Sequence, residues 1–278
     1  MILIDNNQVV LSSIFAQTRG NKDLDEDQVR HITLNIYRSI RNKFYSEYGE
    51  LIICQDSSNC WRKDIFPQYK AGRKKNQQKD AADWNKIFDV LGTIRREIRE
   101  TFPYKNISIP RCEADDIIAV LAKKYSPSEK VVIVSSDKDF KQLQRYDNIK
   151  QYCLRKKQFL VEEDPQRFLF DHIMYGDSSD GIPNVLSADN VFVDSIRQRP
   201  ISKKKLEKLY RQEEDLGVEF ERNWDRNSQL VDLDRIPEKY VTEILEAFEE
   251  SPIGARSNIF NYFVSNKLRM LMENIQDF

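Results

Sequence analysis

The residues most capable of chemistry in this sequence are nine carboxylates gathered in five short segments. Carboxylate oxygens are the ligands that hard divalent cations such as Mg²⁺ prefer. Two such ions about 4 Å apart can activate a water and stabilise the leaving oxygen in phosphodiester hydrolysis, which needs neither a histidine nor a nucleophilic side chain. The nine residues are Asp5, Asp56, Glu113, Asp115, Asp116, Asp137, Asp139, Asp177 and Asp180.

Three apolar runs that end in carboxylates are expected to bring those carboxylates together. The runs at 1–4, 51–54 and 131–134 are short and continuous, which is typical of strands buried in a parallel sheet. In such a sheet the strand ends lie along one edge, where open α/β sheets bind their ligands. Like charges gathered there raise one another's pKa unless a cation compensates them, so the sequence predicts a divalent metal site at this edge.

The two other acidic clusters also have ordinary structural explanations. Glu113, Asp115 and Asp116 surround the start of a predicted helix, where acidic side chains complement the positive helix end. Helical spacing puts Glu113 and Asp116 on one face, and it leaves open which of the three point to the metal site. Asp177 and Asp180 lie in a loop, where aspartates also form turns and caps.

A basic and aromatic segment at 61–79 lies between the second and third acidic clusters. Cationic side chains bind a polyanion through counterion release, and aromatic rings stack on bases. A solvated loop is the alternative, but the neighbouring acidic edge favours a nucleic-acid clamp. The basic residues are Arg62, Lys63, Lys70, Arg73, Lys74, Lys75 and Lys79, and the aromatic residues are Trp61, Phe66 and Tyr69.

The order of predicted elements indicates a mainly parallel α/β sheet with helices on both faces, followed by a smaller helical region. We predict an α/β core at 1–180 and a helical domain at 181–278. The predicted strands are 1–4, 51–54, 106–109, 131–134 and 149–153. The predicted helices are 25–48, 83–101, 114–124, 167–175, 202–213, 219–228, 237–250 and 256–275.

The composition argues against several classes of protein. The net charge of −1 conceals separate acidic and basic segments in the 278 residues. No apolar stretch is long enough to cross a membrane, and the N-terminus lacks the basic start of a signal peptide. Four scattered cysteines fit a reducing cytoplasm, and only two histidines argue against a zinc site. The eight glycines form neither a P-loop nor a dinucleotide-binding motif.

The motifs together resemble the flap endonuclease / 5′-nuclease family over nearly the whole chain. Glu-Ala-Asp-Asp at 113–116 is followed by Ser-Ser-Asp-Lys-Asp-Phe at 135–140 and by Gly-Asp-Ser-Ser-Asp-Gly-Ile-Pro at 176–183. Tyr-Lys-x-x-Arg at 69–73 matches the basic motif of the family. Within the family, Trp-Arg-Lys-Asp at 61–64 is similar to the ribonucleases H of T-even bacteriophages.

The resemblance implies a Mg²⁺-dependent 5′ to 3′ nuclease with two metal ions, for which Mn²⁺ can substitute. It also implies a PIN-like core with a basic arch at about 61–82, and Lys70 and Arg73 that steer the scissile phosphate. Asp5, Asp56, Glu113, Asp115 and Asp137 match the first metal site, Asp139, Asp177 and Asp180 match the second, and Asp116 matches a further acid. The predicted catalytic residues are Asp5, Asp56, Lys70, Arg73, Asp115 and Asp137.

The resemblance further implies the substrates and partners of the protein. The substrates are RNA–DNA hybrids, from which RNA primers and adjoining DNA are removed, and flap or fork DNA. The expected protein is a monomer in the cytoplasm of a phage-infected host, without membrane association. A single-stranded DNA-binding protein or a sliding clamp is its expected protein partner.

The segment after residue 183 departs from the family pattern. The glycines of the family's phosphate-gripping hairpin are missing, and Asp189 adds a negative charge, so we expect a degenerate helix-hairpin-helix region. A basic run that includes Lys203 and Lys204 is the predicted replacement, with a solvated helix face as the alternative. The predicted nucleic-acid-binding residues are Arg62, Lys63, Tyr69, Lys70, Arg73, Lys74, Lys75, Lys79, Lys203 and Lys204.

Two other hypotheses compete with the nuclease. A phosphatase of another acidic α/β fold needs Asp-x-Asp at the first strand, but Asp5 is followed by Asn6 and Asn7. A non-catalytic nucleic-acid-binding protein with a relict acidic site is expected to have lost some acidic positions, and all of them are filled.

Overall fold

The computed structural model describes residues 1–18, 24–73, 77 and 82–278, and the centre of this described part is a six-stranded sheet. The strands are β1 (Ile2–Asp5), β2 (Leu51–Cys54), β3 (Lys105–Ile107), β4 (Val131–Val134), β5 (Ile149–Cys153) and β6 (Gln158–Leu160). Their order across the sheet is β3-β2-β1-β4-β5-β6, with β6 antiparallel to β5 and all other neighbours parallel. The predicted fold class is therefore confirmed.

Helices cover both faces of this sheet and form most of the chain after β6. Among the described residues, the α-helices include Asn6–Gln17, Glu26–Tyr48, Arg62–Ile65, Trp84–Thr101, Ala114–Tyr125, Pro165–Tyr175, Lys203–Tyr210, Val218–Val231, Glu238–Glu250, Ser257–Ser265 and Arg269–Met272. Two segments, Lys138–Arg145 and Ile275–Asp277, are 3₁₀ helices.

The structure differs from the predicted elements mainly where they are short or follow one another directly. Helix Asn6–Gln17 begins immediately after β1, because Asp5 ends the strand and caps the helix by accepting a hydrogen bond from the Gln8 amide at 3.2 Å. The single helix predicted at 256–275 is interrupted at Lys267, whose φ of 56° turns the chain. Strand β6 and the 3₁₀ helix Ile275–Asp277, with three residues each, were too short to give a periodic signal.

Two hydrophobic clusters pack on opposite faces of the sheet. Leu3 and its neighbours on one face share a cluster with Ile244, while Ile4 and its neighbours on the other share a cluster with Phe263 and Phe278. These three C-terminal side chains have no exposed surface. The region after the predicted boundary at 180 therefore completes the cores on both faces of the sheet.

The register of the sheet fixes where the acidic strand ends lie. Asp5 pairs with Cys54 of β2, and Ile4 pairs with Val134 of β4. The chain therefore leaves β1, β2 and β4 at one edge, with Asp5, Asp56 and Asp137 on or just after the last residues of these strands. In the part of the chain that the structure describes, no helix has the length and apolar character needed to span a membrane.

Candidate active site

The carboxyl edge of the sheet opens into a cleft of about 760 Å³. Carboxylates, cationic side chains and aromatic rings line this cleft together, so the predicted convergence of the strand ends is present in the structure. The carboxylates are Asp5, Asp56, Glu113, Asp115 and Asp137, the cations are Lys70 and Arg73, and the aromatic residues are Phe15, Trp84 and Phe88.

Asp5 and Asp137 retain their protons to a higher pH than ordinary aspartates. Asp5 is 8% exposed and accepts a hydrogen bond from the Ser135 hydroxyl at 2.9 Å. Burial, followed by the neighbouring Asp56, raises the pKa of Asp5 to about 7. Asp137 caps the Lys138–Arg145 helix at the Asp139 amide, 2.9 Å away, and burial followed by the charge of Asp139 raises its pKa to about 6.

Asp115 is the member of the 113–116 cluster that belongs with the strand-end carboxylates. Burial, followed by the charges of Asp137 and Asp5, raises the pKa of Asp115 well above its ordinary value. Asp56 accepts a hydrogen bond from the Ala114 amide at 2.7 Å, which ties the end of β2 to the start of the next helix. Buried carboxylates that repel one another and present only oxygen donors are suited to a hard divalent cation.

Asp116 lies apart from these carboxylates, in a buried ion pair. Its Oδ1 accepts a hydrogen bond from Arg62 at 2.8 Å, and its Oδ2 accepts from Trp61 at 3.1 Å and from the Glu113 amide at 2.9 Å. Arg62 also donates to the Leu230 carbonyl at 2.8 Å. Asp116 has no exposed surface and both of its oxygens accept hydrogen bonds within this pair, and Arg62 is 4% exposed, so the structure directs both side chains away from the cleft.

Glu113 is held as an anion by two cations and a phenol. Its Oε1 accepts a hydrogen bond from Lys70 Nζ at 2.5 Å, and its Oε2 accepts from the Tyr69 hydroxyl at 2.9 Å. Burial favours the neutral acid, but the charges of Lys70 and then Arg62 outweigh it and lower the pKa of Glu113 to about 2. Glu113 therefore fixes the start of the basic segment to the cleft.

Asp180 connects the same basic segment to the 176–183 loop. Its Oδ1 accepts a hydrogen bond from Arg73 at 2.6 Å, and its backbone carbonyl accepts one from the Lys70 amide at 2.7 Å. Lys70 has a φ of 57°, a strained conformation that is typical of functional sites. The Tyr69 hydroxyl lies 3.2 Å from Asp180, and its buried ring does not agree with the expected nucleic-acid contact.

A second acidic cluster contains a histidine that the sequence motifs do not indicate. His172 Nε2, on helix Pro165–Tyr175, lies 3.0 Å from Asp139 Oδ1 and 4.0 Å from Asp177 Oδ2. Lys138 Nζ lies 2.8 Å from Asp177 Oδ2, and the Ser179 hydroxyl donates to Asp177 Oδ1 at 2.6 Å. Despite burial, the hydrogen bonds from Lys138 and Ser179 lower the pKa of Asp177 to about 2.

The residues predicted to bind nucleic acid differ in their accessibility. The Arg73 side chain keeps 54% of its surface exposed at the cleft despite its pairing with Asp180. Lys63, Lys203 and Lys204 are exposed as well. Lys74, Lys75 and Lys79 lie outside the described residues.

Three aromatic rings add an apolar wall to the cleft. The Phe15 and Trp84 rings lie 6.2 Å apart between centroids, and the Trp84 and Phe88 rings lie 5.8 Å apart. Phe15 and Phe88 are nearly half exposed. Trp84 and Phe88 lie one turn apart on helix Trp84–Thr101, and this spacing is the sequence signal for the wall. The exposed rings offer a stacking surface to bases.

Asn7 and Arg95, which no sequence motif indicates, also hold Asp56 in position. Arg95 donates a hydrogen bond to Asn7 Oδ1, and the Asn7 amide donates to Asp56 Oδ2. This chain depends on the packing of helix Trp84–Thr101 against helix Asn6–Gln17, which spacing along the sequence does not predict.

The segment after residue 183 is ordered by ion pairs in place of a glycine-rich hairpin. Asp189 is bound by Arg222 at 2.5 Å and also by Arg226. Burial raises the pKa of Asp189, but these two arginines outweigh it and leave the pKa below the ordinary value. Its charge is therefore compensated within the protein. The segment 186–201 contains neither a helix nor a strand.

The raised pKa values predict how the stability of the metal-free protein depends on pH. A carboxyl group with a higher pKa in the folded protein than in the unfolded chain binds a proton on folding, so its stabilising contribution is lost as the pH rises through the folded pKa. For Asp5 this range runs from 3.8 to about 7, and for Asp137 from 3.8 to about 6. We expect the Tm in EDTA to fall over this range, and to fall less in Asp5→Asn.

Thermal unfolding followed by circular dichroism checks this prediction. Saturating Mg²⁺ is expected to flatten the fall in the wild type, since a bound cation replaces the protons. An equal slope of Tm against pH in the wild type and in Asp5→Asn would contradict the prediction.

The parallel sheet, the carboxylates at its edge, and Lys70 and Arg73 in the cleft indicate a nuclease of the 5′-3′ exonuclease class. The chain belongs to the 5′-3′ exonuclease family: the model of its N-terminal resolvase-like domain matches residues 1–168, and the model of the T4 RNase H C-terminal domain matches residues 165–278. This membership places the chain among the nuclease hydrolases and removes the phosphatase hypothesis.

Known relatives support the same assignment. The ribonuclease H of Enterobacteria phage T4 is 30% identical, and the match covers 99% of this chain and 95% of that protein. A 5′-3′ exonuclease of Buchnera aphidicola is 31% identical over 66% of this chain and 65% of its own length.

A solved structure of a phage nuclease shares the fold. The bacteriophage T5 D15 flap endonuclease, crystallised with DNA and metal ions, matches with a TM-score of 0.64 at 18% identity. The match covers 90% of this chain and 99% of that one. The T5 5′-exonuclease has also been solved with zinc ions, and it matches with a TM-score of 0.62 at 18% identity over 89% of this chain and 98% of that one.

Proposed function

We propose that this protein is a Mg²⁺-dependent 5′ to 3′ nuclease that removes RNA primers from RNA–DNA hybrids together with adjoining DNA, and that cuts 5′ flaps or forks during phage replication. The observation that carries the proposal is the convergence of five carboxylates with Lys70 and Arg73 on one cleft. Burial, followed by mutual repulsion, raises the pKa of three of these carboxylates, and a bound cation would relieve both costs.

The carboxylates divide into two groups that would hold two ions. Asp5, Asp56, Asp115 and Asp137, with Glu113 beside them, would hold the first, and Asp139, Asp177 and Asp180 would hold the second. When bound, the ions supply an activated water and stabilise the leaving oxygen. Mn²⁺ can substitute for Mg²⁺, because both take oxygen ligands.

The cationic side chains would place the phosphate over the carboxylates. Arg73 is accessible and forms a fork that suits bidentate contact with phosphate oxygens. Lys70 is set at the back of the cleft by Glu113 and Asp180, 2.5 and 3.5 Å away. A phosphate oxygen that enters beside Glu113 and Asp180 can accept a further hydrogen bond from the Lys70 ammonium.

The surface around the cleft suits a nucleic acid that enters as a single strand and continues as a duplex. The aromatic wall of Phe15, Trp84 and Phe88 offers stacking to unpaired bases. Exposed lysines, including Lys63, Lys203 and Lys204, offer further phosphate contacts. We further propose that the protein acts as a monomer in the host cytoplasm and that a single-stranded DNA-binding protein or a sliding clamp recruits it.

Cleavage of two labelled substrates tests the proposal. A 5′-labelled RNA–DNA hybrid and a 5′-flap DNA are incubated with the full chain in Mg²⁺ or in EDTA. Short 5′ products that require Mg²⁺ are the expected result. Binding of both substrates without Mg²⁺-dependent cleavage would replace the proposal with a binding role for a relict acidic site.

A further inference from the structure

We propose that His172 is a ligand of the second divalent ion, so that an imidazole nitrogen joins the carboxylates of Asp139 and Asp177 at this site. The inference rests on the proposed function and adds to it a residue and an ion preference. Asp139, His172 and Asp177 present ligand atoms that all lie within 4.8 Å of one another. They come from the 3₁₀ helix, helix Pro165–Tyr175 and the loop after it.

The His172 ring is buried and directed into this cluster. It is 7% exposed, and it stacks on Phe168 with 5.7 Å between ring centroids. Among the described residues, His172 Nε2 and Asp139 Oδ1 are both buried without a hydrogen-bond partner, although they lie only 3.0 Å apart. A buried imidazole nitrogen and a buried carboxylate oxygen at this distance require a proton or a cation between them.

The separation of the two atoms matches a pair of metal ligands. Neighbouring ligands in octahedral coordination at about 2.1 Å from an ion lie about 3.0 Å apart, which is √2 times the bond length. Asp177 Oδ2 lies 4.0 Å from the same nitrogen, and opposite ligands in this geometry lie about 4.2 Å apart. Both distances from His172 Nε2 are therefore compatible with ligands of one ion.

Lys138 is the group that competes with an ion at this position. Its ammonium lies 2.8 Å from Asp177 Oδ2 and keeps half of its surface exposed. A long exposed side chain can turn towards solvent at little cost, so an ion can take its place beside Asp177. The partners of the other Asp177 oxygen, the amide and hydroxyl of Ser179, hold that carboxylate in position.

An imidazole ligand changes which ions the second site prefers. Sites built only from oxygen suit Mg²⁺, whereas a nitrogen donor favours first-row transition-metal ions. We therefore expect the second site to bind Mn²⁺ more tightly, relative to Mg²⁺, than a site made of carboxylates alone. The first site, with its oxygen-only donors, is expected to lack this preference.

Pulsed electron paramagnetic resonance of bound Mn²⁺ tests the inference directly. The full chain is labelled with ¹⁵N-histidine, and electron spin-echo envelope modulation detects coupling between Mn²⁺ and a ligating nitrogen. His31 and His172 are the only histidines, so His31→Gln is a matched control for His172→Gln. We expect ¹⁵N coupling in the wild type and in His31→Gln, no coupling in His172→Gln, and Mn²⁺ binding at the second site weakened about tenfold in that variant.

The possible results distinguish a failure of the proposed His172 ligand from a failure of the proposed nuclease. Bound Mn²⁺ without ¹⁵N coupling in the wild type would overturn the inference, and this measurement does not depend on whether His172→Gln folds. Coupling that persists in His172→Gln and disappears in His31→Gln would overturn it equally. Cleavage of the RNA–DNA hybrid in Mg²⁺, measured on the same wild-type preparation, reports on the proposed nuclease independently of these spectra.

Discussion

Asp137→Asn is expected to reduce Mg²⁺-dependent cleavage by about 1000-fold. Replacing one carboxylate oxygen by an amide removes a negative donor from the group that would hold the first ion. The charge stabilisation supplied by a bound metal amounts to several kcal/mol, and each 1.4 kcal/mol corresponds to a factor of ten in rate. Single-turnover cleavage of the 5′-labelled hybrid at saturating enzyme measures this loss without the contribution of substrate binding.

The design of this variant separates chemistry from folding. Asparagine retains an oxygen that can accept the Asp139 amide at the cap of the 3₁₀ helix, so the backbone is preserved. Because the variant also relieves repulsion, its Tm in EDTA is expected to equal or exceed that of the wild type above about pH 6. Asp147→Asn, at an exposed aspartate outside the cleft, is the matched control and should cleave normally. Cleavage by Asp137→Asn within tenfold of the wild type would refute the assignment.

Arg62→Met is expected to lower the free energy of unfolding by about 3–5 kcal/mol. Removing one partner of a buried ion pair leaves the other charge uncompensated, and this cost exceeds the net contribution of the intact pair. Here the variant leaves Asp116 without its 2.8 Å partner and also removes a donor from Glu113 and from the Leu230 carbonyl. Urea unfolding followed by circular dichroism measures the change.

Two further variants identify the cause of this loss. Lys63→Met removes the neighbouring but exposed cation and is expected to leave the stability within about 0.5 kcal/mol of the wild type. Arg62→Met combined with Asp116→Asn removes both charges and should recover part of the stability, as coupled residues in a double-mutant cycle do. A loss in Arg62→Met no larger than that in Lys63→Met would contradict the buried ion pair.

The strand ends of the site were predictable from the sequence because a parallel sheet leaves little freedom. Once the runs before Asp5, Asp56 and Asp137 were interpreted as parallel strands, their carboxyl ends had to share an edge. The same reasoning required no knowledge of loops or distant contacts. The helices with strong apolar spacing, such as Glu26–Tyr48, were predictable because their apolar residues repeat with the period of an α-helix.

The orientation of individual side chains was not predictable in the same way. Sequence shows that Arg62 is a cation in a basic segment, but its burial depends on Asp116 and on the Leu230 carbonyl, 168 residues away. The spacing of residues 113–116 left open which carboxylates face the cleft, and the structure shows Asp115 on the cleft and Asp116 beneath it. His172 belongs to no motif, and only the packing of its helix against the 3₁₀ helix brings it to Asp139.

The direct junction between β1 and the first helix has a consequence for the conformational entropy of metal binding. Asp5 is at once the last residue of a buried strand and the cap of a helix, so two rigid elements restrict its rotamer before any ion arrives. Immobilising a free side chain costs up to about 2 kcal/mol, and this chain meets that cost when it folds. With this carboxylate preorganised, binding of the proposed first ion would need little local rearrangement.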